Sequence, residues 1–319
     1  MSGISAITIA TSIMPRRIEA QQAAINSWQQ LGFNVVSLNR PGEIDDLVHA
    51  FPDVLFFKSA GGQAAEDGFP YVRINELLDA LASFPGEVGA IVNSDVSLAA
   101  GSDLHSFMGK HAENSMVFGP RIDVMLDDLS VNAENPYGFD FFFFSKKVLA
   151  TIPCSDFYLG LPWWDYWLPL ATASRGCKLK RLMSPVAYHL SHELGWSEAL
   201  LEKYWHIMKG SISSQLESIE RCLPSVADAL DNDMHSGAEI LRTILNFGTE
   251  SLFLPGAGSS ANLVSLNEET FEKMKSRLVA IEQRNAENER TLAAIYSTKS
   301  WRFTEPLRRV KRIIRNLSN

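Results

Sequence analysis

The sequence predicts an α/β fold: a mainly parallel sheet flanked by helices over residues 1–195, followed by a helical C-terminal region. Two observations carry this. Short apolar, β-branched runs alternate with segments of helical period from Ile4 to Val92, the pattern of a sheet covered by helices. From about Trp196 onward the composition is helical and strand-like runs stop. A third observation marks the point of interest. The apolar run Ala90-Ile91-Val92 ends abruptly in Asn93-Ser94-Asp95, and a second apolar run begins at Val96.

The elements follow in order. Ile4 to Ala10 is rich in β-formers and runs into the polar turn Thr11-Ser12-Ile13-Met14-Pro15. Arg17 to Leu31 places Ile18, Ile25, Trp28 and Leu31 at helical spacing and stops at Gly32. Asn34 to Leu38 reads as a strand, Glu43 to Ala50 as a short helix, and Val54 to Phe57 as a third strand. After Gly61-Gly62, Tyr71 to Phe84 shows Ile74, Leu77, Leu78 and Leu81 on one helical face, and Gly89 to Val92 is the next strand. Further on, Val117 to Pro120, the run Phe141 to Phe144 and Leu179 to Met183 read as strands, with a short helix over Ser145 to Ile152. The dense segment Gly160-Leu161-Pro162-Trp163-Trp164-Asp165-Tyr166-Trp167 holds one acid among aromatics and continues helically to Ser174. Residues 196–254 form a helical extension and 255–266, rich in Gly and Ser, a linker. Residues 267–319 comprise a charged helix (Glu268 to Tyr296), able to pair with a copy of itself, and a basic amphipathic tail.

Charge and cysteine usage narrow the function. A net charge of -8 excludes a general nucleic-acid binder, which needs a basic surface. The charge is uneven: from Lys299 onward seven basic residues face one acid, a net of +6, which leaves -14 for the rest. Such a tail suits an anionic membrane surface or an assembly partner. Cys154, Cys177 and Cys222 have neither metal-ligand spacing nor a disulfide-framework count, as in a reduced cytoplasmic protein. Met1 to Met14 lacks a basic n-region and a cleavage pattern, and no apolar run reaches bilayer length. The expected place is the cytoplasm, peripherally at the inner face of the membrane.

Asn93-Ser94-Asp95, Asp165 and His189 or His192 stand after strands or among aromatic rings. The carboxyl ends of strands in an α/β sheet are where ligands bind, although Asn93 to Asp95 alone would equally serve as an Asx-type turn. A divalent ion serving a nucleotide diphosphate needs few protein ligands, because phosphate oxygens supply the rest. One carboxylate and one imidazole suffice, and imidazole inclines the choice towards Mn²⁺ over Mg²⁺. Desolvation of Asp165 among Trp163, Trp164, Tyr166 and Trp167 would raise its pKa, as suits a general base, and the rings could stack a sugar. The plain alternatives are a helix-capping acid for Asp165, structural histidines, and core packing for the tryptophans.

In their order and spacing these residues resemble the GT-A glycosyltransferases. The resemblance covers residues 4 to 195 and implies a GT-A-like (Rossmann-like) mixed sheet flanked by helices. It also implies a glycosyltransferase that moves a sugar from a nucleotide-diphosphate donor to a glycan or lipid-linked acceptor. Asn93-Ser94-Asp95 stands where that family carries its DxD motif, with Asn in the first position, so Asp95 is the charged ligand. Trp164-Asp165-Tyr166 looks like the position of the catalytic base, without the usual Glu-Asp pair. His189, or else His192, matches the histidine that completes the metal shell, and Thr11 and Ser12 would lie near the nucleotide base. Asp140, Trp163 and Trp164 would face the acceptor. Thr298-Lys299-Ser300-Trp301-Arg302-Phe303-Thr304-Glu305-Pro306-Leu307-Arg308 is similar to the Ser-x-Ser-Trp-Arg-x-Thr-x-Pro-Leu-Arg segment of bacterial surface-polysaccharide glycosyltransferases, with Thr298 for the first Ser. Two readings from other classes remain: a non-catalytic GT-A-like module that binds glycan or scaffolds assembly, and a metal hydrolase using Asp95, His189 and His192.

Overall fold

Apolar runs of five residues build the centre of the larger sheet, and the antiparallel insertion of one of them positions everything discussed below. A computed structural model describes residues 6–60, 71–99, 103–124, 138–190 and 196–255, with 131–134 described by backbone alone. The strands are β1 (Ile7–Thr11), β2 (Asn34–Asn39), β3 (Leu55–Lys58), β4 (Val88–Val92), β5 (Val96–Leu98), β6 (Ser115–Gly119), β7 (Ile122–Val124), β8 (Val131–Glu134), β9 (Phe141–Ser145), β10 (Lys178–Leu182), β11 (Ala187–Leu190) and β12 (Glu250–Leu252). The helices are α1 (Ile18–Gln30), α2 (Pro41–Leu47), α3 (Ile74–Ser83), α4 (Leu104–His111), α5 (Lys146–Leu149), α6 (Trp164–Ala173), α7 (Glu198–Ser213), α8 (Leu216–Glu220), α9 (Val226–Asp231) and α10 (Met234–Phe247).

Among the described residues the larger sheet has eight strands in the order β12-β10-β6-β9-β4-β1-β2-β3. Every neighbouring pair is parallel except those of β9, which runs antiparallel to both β4 and β6. This is the expected mixed sheet flanked by helices. The reversal has a geometric consequence. Phe141, the first residue of β9, lies opposite Val92 and Gly119, the last residues of β4 and β6. The residue before β9 therefore meets the residues after β4 and β6. A second, four-stranded sheet, β5-β11-β7-β8, continues from those same ends. Asn93 to Asp95 is the joint between the two sheets.

The Phe run is buried on both faces, as a continuous apolar run predicts for a central strand. Phe142 and Phe144 join a core with Leu77, Leu168, Trp164 and Tyr204 on one side; Phe141 and Phe143 pack with Ile25, Trp28, Leu104 and Met108 on the other. Trp28 also donates from Nε1 to the carbonyl of Val96 at 2.8 Å, which ties α1 to β5.

The helical extension shares the first of these cores through Tyr204, Trp205, Met208 and Ile212. It also contains a strand that its composition did not announce. β12 is three residues long and pairs in parallel with β10 at the sheet edge. The chain divides into Met1–Glu268 and Glu269–Asn319; the expected linker from residue 256 on, charged helix and basic tail all lie outside the described residues. No helix among the described residues is long and apolar enough to cross a membrane.

Phe143→Ala should lower the unfolding free energy by about 3–5 kcal/mol, the cost of a large cavity in a close-packed core. Leu55→Ala, on the edge strand at 56% exposure, should change it by less than about 1 kcal/mol. Urea unfolding of both variants checks this; equal effects would contradict the layering described above.

Candidate functional site

At the end of β4 the backbone N–H of Asn93 donates to the Asp140 carbonyl at 3.2 Å, and the Asn93 carbonyl accepts from Val96 N–H at 3.1 Å, which closes the turn. The Asn93 Nδ2 donates to Asp140 Oδ1 at 2.7 Å. An amide rather than an acid suits position 93 for this reason. Asp140 is 3% exposed, and a second carboxylate against it would add repulsion to the desolvation cost. An amide supplies the donor instead. Ser94 donates to Gln21 Oε1 at 2.8 Å. Gln21, buried on the inner face of α1, also accepts from Met14 N–H and donates to the carbonyls of Met14 and Arg16. The loop after β1 is thus held against the motif. Within that loop Thr11 is fully buried and its hydroxyl donates to the Val92 carbonyl at 2.8 Å, so it is a structural link and not a free nucleotide contact. Ser12 is half-buried beside it.

From Asp140 a line of charge runs into the second sheet. Arg121, in the bend between β6 and β7, donates from Nη1 to Asp140 Oδ1 and from Nε to Asp123 Oδ1, both at 2.9 Å. Asp123 Oδ1 is also 2.9 Å from His189 Nδ1, and His189 Nε2 is 3.4 Å from Asp95 Oδ2. Strand register produces this sequence of contacts. β11 lies between β5 and β7, with His189 opposite Asp123 on one side and Val96 on the other. The Asp95 side chain is a third exposed, whereas His189 is almost fully enclosed.

Each charge in this line is held by its neighbours. Burial works against the His189 imidazolium, but hydrogen bonds to Asp123 and Asp95 and the charge of Asp95 outweigh it, raising its pKa to about 9. Burial likewise opposes the charge of Arg121, and Asp140 and then Asp123 more than restore it. Burial would raise Asp123; its bonds to His189 and Arg121 hold it below the ordinary carboxylate range instead.

Asp165 stands in the first turn of α6. The residue is half-buried, with its carboxyl turned towards the segment before β9, where Oδ2 accepts from Phe139 N–H at 3.0 Å. Burial pushes its pKa up, and Asp140 adds to the rise, against the backbone N–H groups of Phe139, Asp165 and Tyr166; the result is about 7. Gly138 permits the approach. Its φ is +88°, and a Cβ there would run into Asp165 Oδ2. The expected raised pKa is therefore present, with Asp140, and not only the neighbouring rings, as a cause.

The acceptor expectations need correction. Trp164 is 3% exposed and packs edge-on against Phe142, so it offers no face to a sugar. The aromatic run belongs to the core because α6 is buried on nearly every side. Trp163 is half-buried, packs against Tyr166 and Trp205, and donates from Nε1 to the Leu201 carbonyl at 2.8 Å. Asp140 does not face an acceptor; it is the buried anchor of Asn93 and Arg121. His192 lies outside the described residues. Sequence reasoning missed Arg121, Asp123 and Gln21. The signals were present: Arg121-Ile122-Asp123 alternates charge about an apolar residue just after a buried strand, and Gln21 stands on the apolar face of α1 with Ile25 and Trp28.

No group of three or more His, Cys, Asp or Glu that could hold a metal ion occurs among the described residues. The donor set fits an ion that takes the rest of its shell from a ligand only where that ion replaces the proton His189 Nε2 shares with Asp95. Asp95 and His189 Nε2 face each other, and Asp123 on Nδ1 is the kind of outer carboxylate that orients a ligating histidine.

No protein-family model matches the chain, and no curated protein sequence matches it. Solved structures do. The 4-diphosphocytidyl-2C-methyl-D-erythritol synthase of Anaerococcus prevotii is 11% identical over 62% of this chain and 96% of its own, with a TM-score of 0.38. The inositol-1-phosphate CTP transferase of T. maritima is 11% identical over 69% of this chain and 98% of its own, with a TM-score of 0.35. These likenesses are loose, and the functional reading below rests on the site itself.

The raised pKa of Asp165 makes a pH prediction. Between the unfolded value of about 4 and the folded value of about 7, the folded chain holds a proton that the unfolded chain has released. Stability should therefore fall as pH rises through this window, by up to about 1.4 kcal/mol per pH unit from this one group. Asp165→Asn removes that slope, so its stability relative to wild type should rise between pH 5 and pH 7 in urea unfolding. A difference that does not change with pH would contradict the assignment. His189 acts in the same direction at higher pH: its pairs stabilise fully below about pH 6.5, and that contribution is lost as pH rises through about 9.

Proposed function

We propose that this chain is a glycosyltransferase that moves a sugar from a nucleotide-diphosphate donor to a cell-surface polysaccharide or related glycan acceptor. The observation that carries the reading is a single convergence. The Asn93 to Asp95 turn and Asp165, whose pKa is near neutrality, both flank the segment that enters β9, at the carboxyl end of a mixed sheet. Ligands of open α/β sheets bind at that end.

In this reading Asp95 and His189 hold Mn²⁺ or Mg²⁺, with Asp123 behind the histidine. Such an ion would neutralise charge on the leaving diphosphate. Asp165 takes the proton from the acceptor hydroxyl as its oxygen bonds to the anomeric carbon. The bond from that carbon to the donor diphosphate breaks, and the diphosphate leaves with the electron pair, an inverting displacement. A base with a pKa of about 7 is ionised in a large fraction of molecules at neutral pH and still strong enough to accept the proton. Of the two expected nucleotide contacts Ser12, in the loop that Gln21 fastens to the turn, is the one this reading keeps, since the Thr11 hydroxyl is committed to Val92. The tail, with its Ser-Trp-Arg segment, would bring the enzyme to an anionic inner-membrane surface or to a polysaccharide-assembly partner. A second copy joined through Glu268 to Tyr296 belongs to the same proposal.

One observation favours a different class. The first position of the motif is an amide already spent on Asp140, which suits a non-catalytic module that binds glycan or scaffolds assembly. A thermal-shift screen of UDP, GDP, CDP and dTDP sugars, with and without Mn²⁺, separates the two. The glycosyltransferase reading expects stabilisation by at least one donor, larger with Mn²⁺. It also expects turnover of that donor to fall by about 100-fold or more in Asp95→Ala and in Asp165→Ala. No shift with any donor, or unchanged turnover in both variants, would sink it.

A further inference from the structure

We infer that Arg121 is a positioning residue that couples the Asn93 to Asp95 turn to the histidine of the metal pair, an assignment that rests on the function proposed above. Its guanidinium holds two carboxylates that belong to different sheets. Asp140 precedes β9 of the larger sheet, and Asp123 lies in β7 of the smaller one, each at 2.9 Å. Each carboxylate in turn holds a residue of the donor site. Asp140 accepts from Asn93 Nδ2 at 2.7 Å, and Asp123 meets His189 Nδ1 at 2.9 Å. One side chain thus stands in the middle of an unbroken line from Asn93 to His189.

The chemistry requires arginine there. The Arg121 side chain is only 15% exposed, and its partner Asp140 still less. Removing the cation would leave the buried Asp140 carboxylate with the Asn93 amide but without its counter-charge, and Asp123 with His189 alone of its two charged partners named above. A planar fork can reach two carboxylates at once, whereas the compact ammonium of lysine keeps the charge but loses the two-point geometry. Without Arg121, Asp123 loses the ion pair at 2.9 Å that fixes its carboxylate against His189 Nδ1, and the ring is held less firmly towards Asp95. Outer partners of ligating histidines typically set about 10–100-fold in metal affinity.

The test is a titration of the full metal-free chain with Mn²⁺ at a fixed concentration of UDP, whose diphosphate supplies the rest of the ion's shell, following Mn²⁺ bound to the chain by equilibrium dialysis, alongside thermal melts. Arg121→Lys should keep a cooperative melt and bind Mn²⁺ about 10–100-fold more weakly than wild type. Should that variant fail to fold, Asp140→Asn takes its place, since it loosens Arg121 from the larger sheet and leaves Asp123 and His189 intact; the same fall is expected. A variant that melts lower but binds Mn²⁺ as wild type does would make Arg121 purely structural and overturn the inference. Wild-type chain that binds no Mn²⁺ would overturn the metal part of the proposed function, and this inference with it. The two failures are distinct.

Discussion

Asp140 lies 3% exposed at the point where β9 enters the larger sheet between β4 and β6. A lone carboxylate there would cost several kcal/mol, and it persists because its neighbours compensate it. Arg121 supplies the counter-charge and Asn93 a hydrogen bond, while the Asp140 backbone pairs with Gly119 and Asn93. That single anchored acid decides much else. It selects an amide over an acid at position 93. It sets one end of the ion pairs that continue through Asp123 and His189 to Asp95. Its charge also adds to the rise that burial produces in the pKa of Asp165, across the segment before β9.

The antiparallel course of β9 makes this possible. Were β9 parallel to its neighbours, its last residue, Ser145, and not its first would lie beside the ends of β4 and β6. Reversal places the residue before the strand among the residues that follow its neighbours, and from there the chain leaves for the second sheet through β5 and β7. Topology thus gathers Asn93, Asp140 and Asp165 around the segment that enters β9. Gly138, with its positive φ, lets the entering segment approach α6 closely enough for Asp165 to accept from Phe139.

Much of this fold could be read from residue patterns. β1, β2, β4, β6 and β9 are buried runs of five or six residues, and α1 and α3 carry clear apolar stripes. β7 and β12 are three residues long and carry charge, too short for periodicity to distinguish them from loop. The site was legible as residue types and not as pairings. Asn93, Asp95, Asp140, Asp165 and His189 stood out because polar groups at strand ends and among aromatics need a reason. Which of them touch depends on strand order, and strand order is a long-range property that no local window contains. The tryptophans misled for a related reason: rings beside an acid form a platform only if one face is open, and burial of α6 closes it.

The central claim is that Asp95 and His189 together face the diphosphate of a nucleotide-sugar donor. Anomalous diffraction from crystals grown with UDP and Mn²⁺ tests it most directly. A manganese peak between the Asp95 carboxylate and His189 Nε2, with the diphosphate completing its shell, is the predicted result. Nucleotide bound with no manganese at that pair, or bound away from the Asn93 to Asp95 turn, would contradict it.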